Sequence, residues 1–171
     1  MEQIQNTIKK DPSYLPARTG EIKALYYSGK AFEADKALLV LLKEFGNKQE
    51  VLSIAGWLSM QQKNYTQAST YFEKMAKKDQ NAELTLRWVN SLLGQKNNEK
   101  AINILKAWIL HHPGDRGAQQ TLADLYMGLQ KKPEAKQAYL KLIKIQHNSA
   151  LAYNNLAWIV QEKDLKLAIT Y

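Results

Sequence analysis

Cysteine is absent from the 171 residues. That excludes disulfides, a cysteine nucleophile and thiolate metal sites, and it leaves the redox compartment open. Glycine and proline are scarce, at 8 and 4, and strand-like alternation of β-branched residues is missing. No apolar run approaches the ~18 residues that a membrane-spanning helix needs. The opening Met1-Glu2-Gln3-Ile4-Gln5 has neither the basic start nor the apolar stretch of a signal peptide. Acids are outnumbered, 16 against 24 lysines and arginines, for a net charge of +8. Such a balance suits nucleic acid, anionic lipid or acidic protein partners, and the placement of the charge must choose among them. What is plentiful is Ala, Leu, Lys, Gln and Glu, all strong helix formers. With 45% hydrophobic residues the chain has enough apolar surface for a core, and it reads as all-α.

One small residue recurs: Ala34, Ala68, Ala101, Ala135 and Ala168, at spacings of 34, 33, 34 and 33. Four residues after each of the first four stands a large side chain: Leu38, Phe72, Leu105 and Tyr139. Twelve residues before runs a second series, Ile22, Gly56, Val89 and Ala123, with Ala157 in the fifth unit. Breaker clusters separate the units at Gly46-Asn47, Asp79-Gln80-Asn81, Pro113-Gly114-Asp115 and His147-Asn148-Ser149. Weaker breaks divide each unit near Gly29, Lys63-Asn64, Lys96-Asn97-Asn98, Lys131-Lys132-Pro133 and Lys163-Asp164. Each unit is therefore two helices joined by a short turn. The small residues let the paired helices approach closely. A lone pair cannot bury its apolar face, so the units must stack.

These positions resemble the tetratricopeptide repeat (TPR). The match is fullest in the second unit: Leu52 at repeat position 4, Ala55 and Gly56 at 7 and 8, Tyr65 at 17, Ala68 at 20 and Phe72 at 24. Position 27, usually alanine, is Leu41, Met75, Trp108 and Leu142, and Glu21 stands at the usually apolar position 7. The resemblance implies a TPR α-solenoid, a right-handed superhelix of antiparallel helix pairs. The expected organisation is a single array over 1–171. Its repeats cover 15–48, 49–81, 82–115 and 116–149, with a partial repeat at 150–171 and the second helix of a truncated one at 2–14. Neither end has the polar outer face of a capping repeat, so a piece of a longer array is expected. Ile4 and Ile8 at one end, with Leu165, Leu167 and Ile169 at the other, would then offer apolar surface for a homodimer.

A narrower resemblance rests on short strings: Gly56-Trp57-Leu58-Ser59-Met60-Gln61-Gln62, Ile104 to Ile109 ahead of His112-Pro113, and Ala150 to Trp158. These look like the TPR lipoproteins of bacterial PEP-CTERM/exosortase exopolysaccharide systems. That likeness implies a scaffold in the periplasm or at the outer membrane.

In TPR proteins the first helices line a concave groove. Carried onto this sequence, the groove candidates are Lys23 and Tyr26; Trp57 and Met60; Arg87 and Asn90; Gln120, Asp124 and Met127; and Asn154, Asn155 and Trp158. Thr19, Glu50, Ser53 and Glu83 share the same register. Exposed aromatics beside amides anchor interfaces and pair with peptide backbone. The alternative for Tyr26, Trp57 and Trp158 is packing between neighbouring first helices. The partner implied is a protein or peptide. A carboxylate clamp of the kind some TPR domains carry lacks its lysines here, because no lysine stands at position 5.

The lysines divide by helix. Lys36, Lys43, Lys74, Lys77, Lys78, Lys100, Lys106, Lys136, Lys141 and Lys144 fall on second helices, and Lys23 is the lysine on a groove position. The groove carries Glu50, Glu83 and Asp124, which argues against a nucleic-acid reader of the pentatricopeptide type. No lipidation signal or amphipathic anchor supports membrane insertion. His111 and His112 are adjacent, so their side chains diverge by about 100° on a helix and cannot share a metal as an i, i+4 pair does. No phosphate loop, dinucleotide fingerprint, HExxH or nucleophile elbow is present. The expectation is a non-catalytic binding protein with no cofactor and no metal, the alternative being self-association or partner binding through the array ends and the convex basic face.

Overall fold

The computed structural model describes residues 1–161. Ten helices follow in order: α1 (Glu2–Lys10), α2 (Leu15–Tyr27), α3 (Ala31–Phe45), α4 (Gln49–Gln61), α5 (Tyr65–Ala76), α6 (Ala82–Gly94), α7 (Asn98–His111), α8 (Arg116–Gly128), α9 (Lys132–Ile145) and α10 (Ala150–Gln161). No strand occurs among the described residues. The fold class is the all-α TPR solenoid. Ala168 and the candidate end residues Leu165, Leu167 and Ile169 lie outside the described residues. The chain divides into two compact units, Met1–Gln95 and Lys96–Tyr171, with the boundary between α6 and α7.

In the first unit α2 packs on α3, α4 on α5 and α5 on α6. Ala34 and Ala68 are wholly buried where those helices meet, and Leu38 and Phe72 are buried one turn on. The reason for small residues is explicit at Gly56. A Cβ there would stand 2.5 Å from the Phe72 ring, well inside contact distance. Glu21, apparently misplaced at an apolar position, is half-buried and accepts a 2.8 Å hydrogen bond from Gln5 Nε2 of α1.

The second unit repeats the scheme with different residues. Ala101, Ala123 and Ala135 are wholly buried, as are Leu105, Tyr139, Leu142 and Leu156. Trp108 occupies a position where TPR units carry alanine, and it is buried by closing the next turn over itself. Its Nε1 donates to Asp115 Oδ2 at 2.6 Å. Its ring stacks on His112 at 3.6 Å. Asp115 in turn caps α8, accepting from the Ala118 N–H at 3.0 Å. His112 thus has a packing role at the end of α7.

Asn64, Asn81 and Asn97 cap α5, α6 and α7 in the same way, each accepting from a backbone N–H three residues on. Inside each repeat the first helix ends on one residue with positive φ: Gly29, Lys63, Lys96 and Gln130. The following N–H reaches back to the first helix, as from Asn64 to Ser59 O at 2.8 Å and from Lys131 to Tyr126 O at 2.9 Å. This is the 6→1 bond of a Schellman end. Only Gly29 is the residue that such a φ favours. The sequence puts Lys77 and Lys78 on a second helix, but α5 stops at Ala76. Lys78 lies in the turn and donates to Asn47 O at 2.8 Å.

Two stability predictions follow from this packing. Gly56→Ala gains about 1 kcal/mol of helix propensity but overpacks the Phe72 contact at a cost of about 1–3 kcal/mol. It is expected to lower the urea midpoint, whereas Gly128→Ala, where the new methyl meets open space, raises it. Lys96→Gly is expected to stabilise by about 0.5–1 kcal/mol by releasing left-handed strain, and Gly29→Ala to destabilise by a similar amount. Chemical denaturation followed by circular dichroism measures all four.

Candidate functional site

Successive first helices bring their side chains together in the first unit. A pocket of about 250 Å³ is lined by Thr19 and Lys23 of α2, by Glu50, Ser53, Ile54 and Trp57 of α4, and by Arg87 of α6. Three helices contribute because residues four apart on each share one face. Lys23 Nζ lies 5.8 Å from the Trp57 ring, within range of a cation–π attraction. Arg87 pairs with Glu83, one turn earlier on α6, at 2.5 Å. The pocket therefore combines two cations, one carboxylate, two hydroxyls and an aromatic wall.

Trp57 is half-buried. Its ring meets Tyr26 edge-on at 5.5 Å and Tyr27 at 5.7 Å. It thus packs between α2 and α4 and also lines the pocket. The Tyr26 hydroxyl is held by Gln61 O at 3.3 Å. A second pocket of about 210 Å³ shares Ser53 and Arg87 and adds Gln49, Asn81 and Glu83. Gln49 Oε1 is buried there without a hydrogen-bond partner, an acceptor that calls for a donor. Asn90 is exposed on α6. Met60 is half-buried against the cluster of Ala68, Phe72 and Leu84, so it serves packing.

In the second unit the candidates form a different arrangement. Gln120, Asp124 and Met127 share one face of α8 by their spacing. Asp124 and Asn155 meet through a third residue. The buried Tyr139 donates its hydroxyl to Asp124 Oδ1 at 2.6 Å and accepts from Asn155 Nδ2 at 2.7 Å. Burial, then the hydrogen bond to Asp124 and its charge, push the Tyr139 pKa far above its ordinary value, while Asn155 pulls it down. Asn154 is exposed. Trp158 is 45% exposed, with Lys132 Nζ 4.6 Å from its ring.

Sequence reasoning did not single out Tyr27 or the Tyr139 hydroxyl. The signal for the second was a tyrosine where other units have leucine or phenylalanine. Among the described residues there is no group of three or more His, Asp or Glu placed to hold a metal. Nor is any helix among them long and apolar enough to cross a membrane.

Helix pairs at a 34-residue period, small residues at their contacts and a lined first-helix face define a repeat protein of the helical-hairpin class. A tetratricopeptide-repeat family model matches residues 59–120 and 92–159, together more than half of the chain. The chain belongs to the tetratricopeptide repeat family. No curated protein gives a match. Among solved structures, MamA (41 to end) from Desulfovibrio magneticus RS-1 is 21% identical over 92% of this chain and 90% of that one, with a TM-score of 0.71. PilF of Pseudomonas aeruginosa is 15% identical over 98% and 77%, with a TM-score of 0.72. YrrB, described as a TPR protein with an unusual peptide-binding site, is 14% identical over 96% and 86%, with a TM-score of 0.69. At these identities the likeness is one of fold.

The Tyr139 arrangement has an alkaline signature. A phenol whose pKa is raised on folding contributes stability below its unfolded pKa of about 10, and that stability is lost as pH rises above it. In an ultraviolet titration Tyr139 is expected to ionise after the exposed tyrosines. Tyr139→Phe removes that late phase, and Asp124→Asn moves it to lower pH.

Proposed function

We propose that the chain is a non-catalytic protein-interaction scaffold that binds a peptide or protein segment on its first-helix face. The observation that carries this reading is the convergence of α2, α4 and α6 on one pocket lined by Thr19, Lys23, Glu50, Ser53, Trp57 and Arg87. Trp57 supplies a flat apolar wall for a ligand side chain, the kind of residue that dominates binding energy. Lys23 and Arg87 suit an acidic group, and Gln49 Oε1 suits a peptide N–H. The mixed charge of the face, with Glu50 and Glu83 beside the cations, favours a protein segment over a nucleic-acid backbone. Support for a bacterial-envelope setting, periplasmic or at the outer membrane, comes from the short strings that resemble exopolysaccharide-system TPR lipoproteins. Fractionation of cells expressing the full-length protein tests it.

The binding reading is tested with labelled peptides selected against the protein from a random library, scored by anisotropy. Binding is expected to survive nuclease treatment. It should weaken at least about tenfold in Trp57→Ala and in Arg87→Ala, a loss of about 1.4 kcal/mol or more. Equal affinity in wild type and both variants, with circular dichroism unchanged, would move the site off this face.

A further inference from the structure

A more apolar concavity lies elsewhere, on the second-helix side of the second unit. It encloses about 750 Å³ between α7 and α9, over a floor from α8. Leu122 and Tyr126 form its buried floor, with Ile109, Leu110, Ala138 and Ile145 on the walls. Leu110 is 77% exposed, a large apolar side chain that nothing in its own fold requires to face water. The exposed lining residues include Lys106, Lys141 and Lys144, against the one carboxylate of Glu134. The groove is thus apolar along its base and positive along its edges.

Two properties of the groove choose the occupant. The first is backbone chemistry. Both walls are helices, whose backbone groups are already paired, and the polar floor residue Gln119 is committed to Ala138 O at 3.1 Å. An extended peptide laid on this floor would bury N–H and C=O groups without partners, whereas a helix satisfies its own. The second is length. The α9 wall runs from Pro133 to Ile145, about 18 Å at 1.5 Å per residue, the length of a three-turn helix. On the opposite wall Lys106, Ile109 and Leu110 stand at i, i+3 and i+4, the spacing that meshes with another helix.

We infer that the groove between α7 and α9 is a second docking site, separate from the first-helix face, which accepts an amphipathic helix with an apolar stripe flanked by Asp or Glu. The apolar stripe covers Leu110 and the Leu122–Tyr126 floor, and the flanking carboxylates meet Lys106, Lys141 and Lys144.

The test uses the full chain and a fluorescein-labelled peptide of roughly fourteen residues, with leucines at helical i, i+3, i+4 and i+7 spacing and glutamates beside them. A counterpart carries lysine in place of glutamate. The acidic peptide is expected to bind and gain helicity, and the basic one to bind at least about tenfold more weakly. Leu110→Asp and the double variant Lys141→Glu/Lys144→Glu alter exposed residues and leave the helices intact. Each is expected to weaken the acidic peptide about tenfold or more. Trp57→Ala leaves it unchanged, which separates this site from the first-helix pocket. Equal binding of both peptides, no binding at about millimolar concentration, or indifference to the groove variants would overturn the inference. So would capture by anionic phosphatidylserine vesicles without capture of the peptide, which would make the face a lipid surface.

Discussion

How closely two helices of one repeat can approach governs everything else in this chain. At Ala34, Ala68 and Ala135 the contact leaves no accessible surface at all. At Gly56 it leaves no space even for a methyl group. That distance sets how each pair presents its outer faces. With it fixed, Thr19, Lys23, Ser53, Trp57 and Arg87 from three separate helices line one pocket. The pocket is assembled by stacking and needs no loop of its own. A single oversized side chain at the helix contact would therefore be felt at the first-helix face, through tilt, without touching it.

The architecture was legible because its cause is periodic. Small residues spaced by 33 or 34 are a local signal that each repeat states again, and Asn64, Asn81, Asn97 and Asp115 mark helix starts in the second to fourth repeats. The exceptions have physical reasons. In the fourth repeat the positive-φ residue is Gln130, one place before the Lys131-Lys132-Pro133 break, because the fold takes a non-glycine there and leaves no compositional mark. The face to which Lys23, Trp57 and Arg87 belong follows from register, but their meeting in one pocket depends on stacking distances that no spacing encodes. Met60 shares that register and turns to the core. Tyr139 was visible as a bulky core residue, and its hydroxyl's bridge from Asp124 to Asn155 was not, since it joins three helices.

The two surfaces differ in chemistry. The first-helix face of the first unit mixes both signs of charge with an aromatic wall, a combination suited to reading a particular segment. The second-helix side of the second unit joins a broad apolar floor to lysines, which suits a class of helices more than one sequence. Three lysines line the second surface, against one carboxylate. The net +8 therefore says little about the first-helix pocket, where Glu50 stands beside the cations.

The left-handed lysine at position 96 has a consequence for proteolysis. It occupies a turn tip on the exposed surface, and it is the first residue of the second compact unit. A trypsin-like protease cutting after Lys96 would meet a strained peptide outside any helix. Each fragment would keep sealed alanine contacts, Ala34 and Ala68 in one and Ala135 in the other. Limited digestion at this bond would yield two pieces, one carrying the first-helix pocket and the other the apolar groove between α7 and α9.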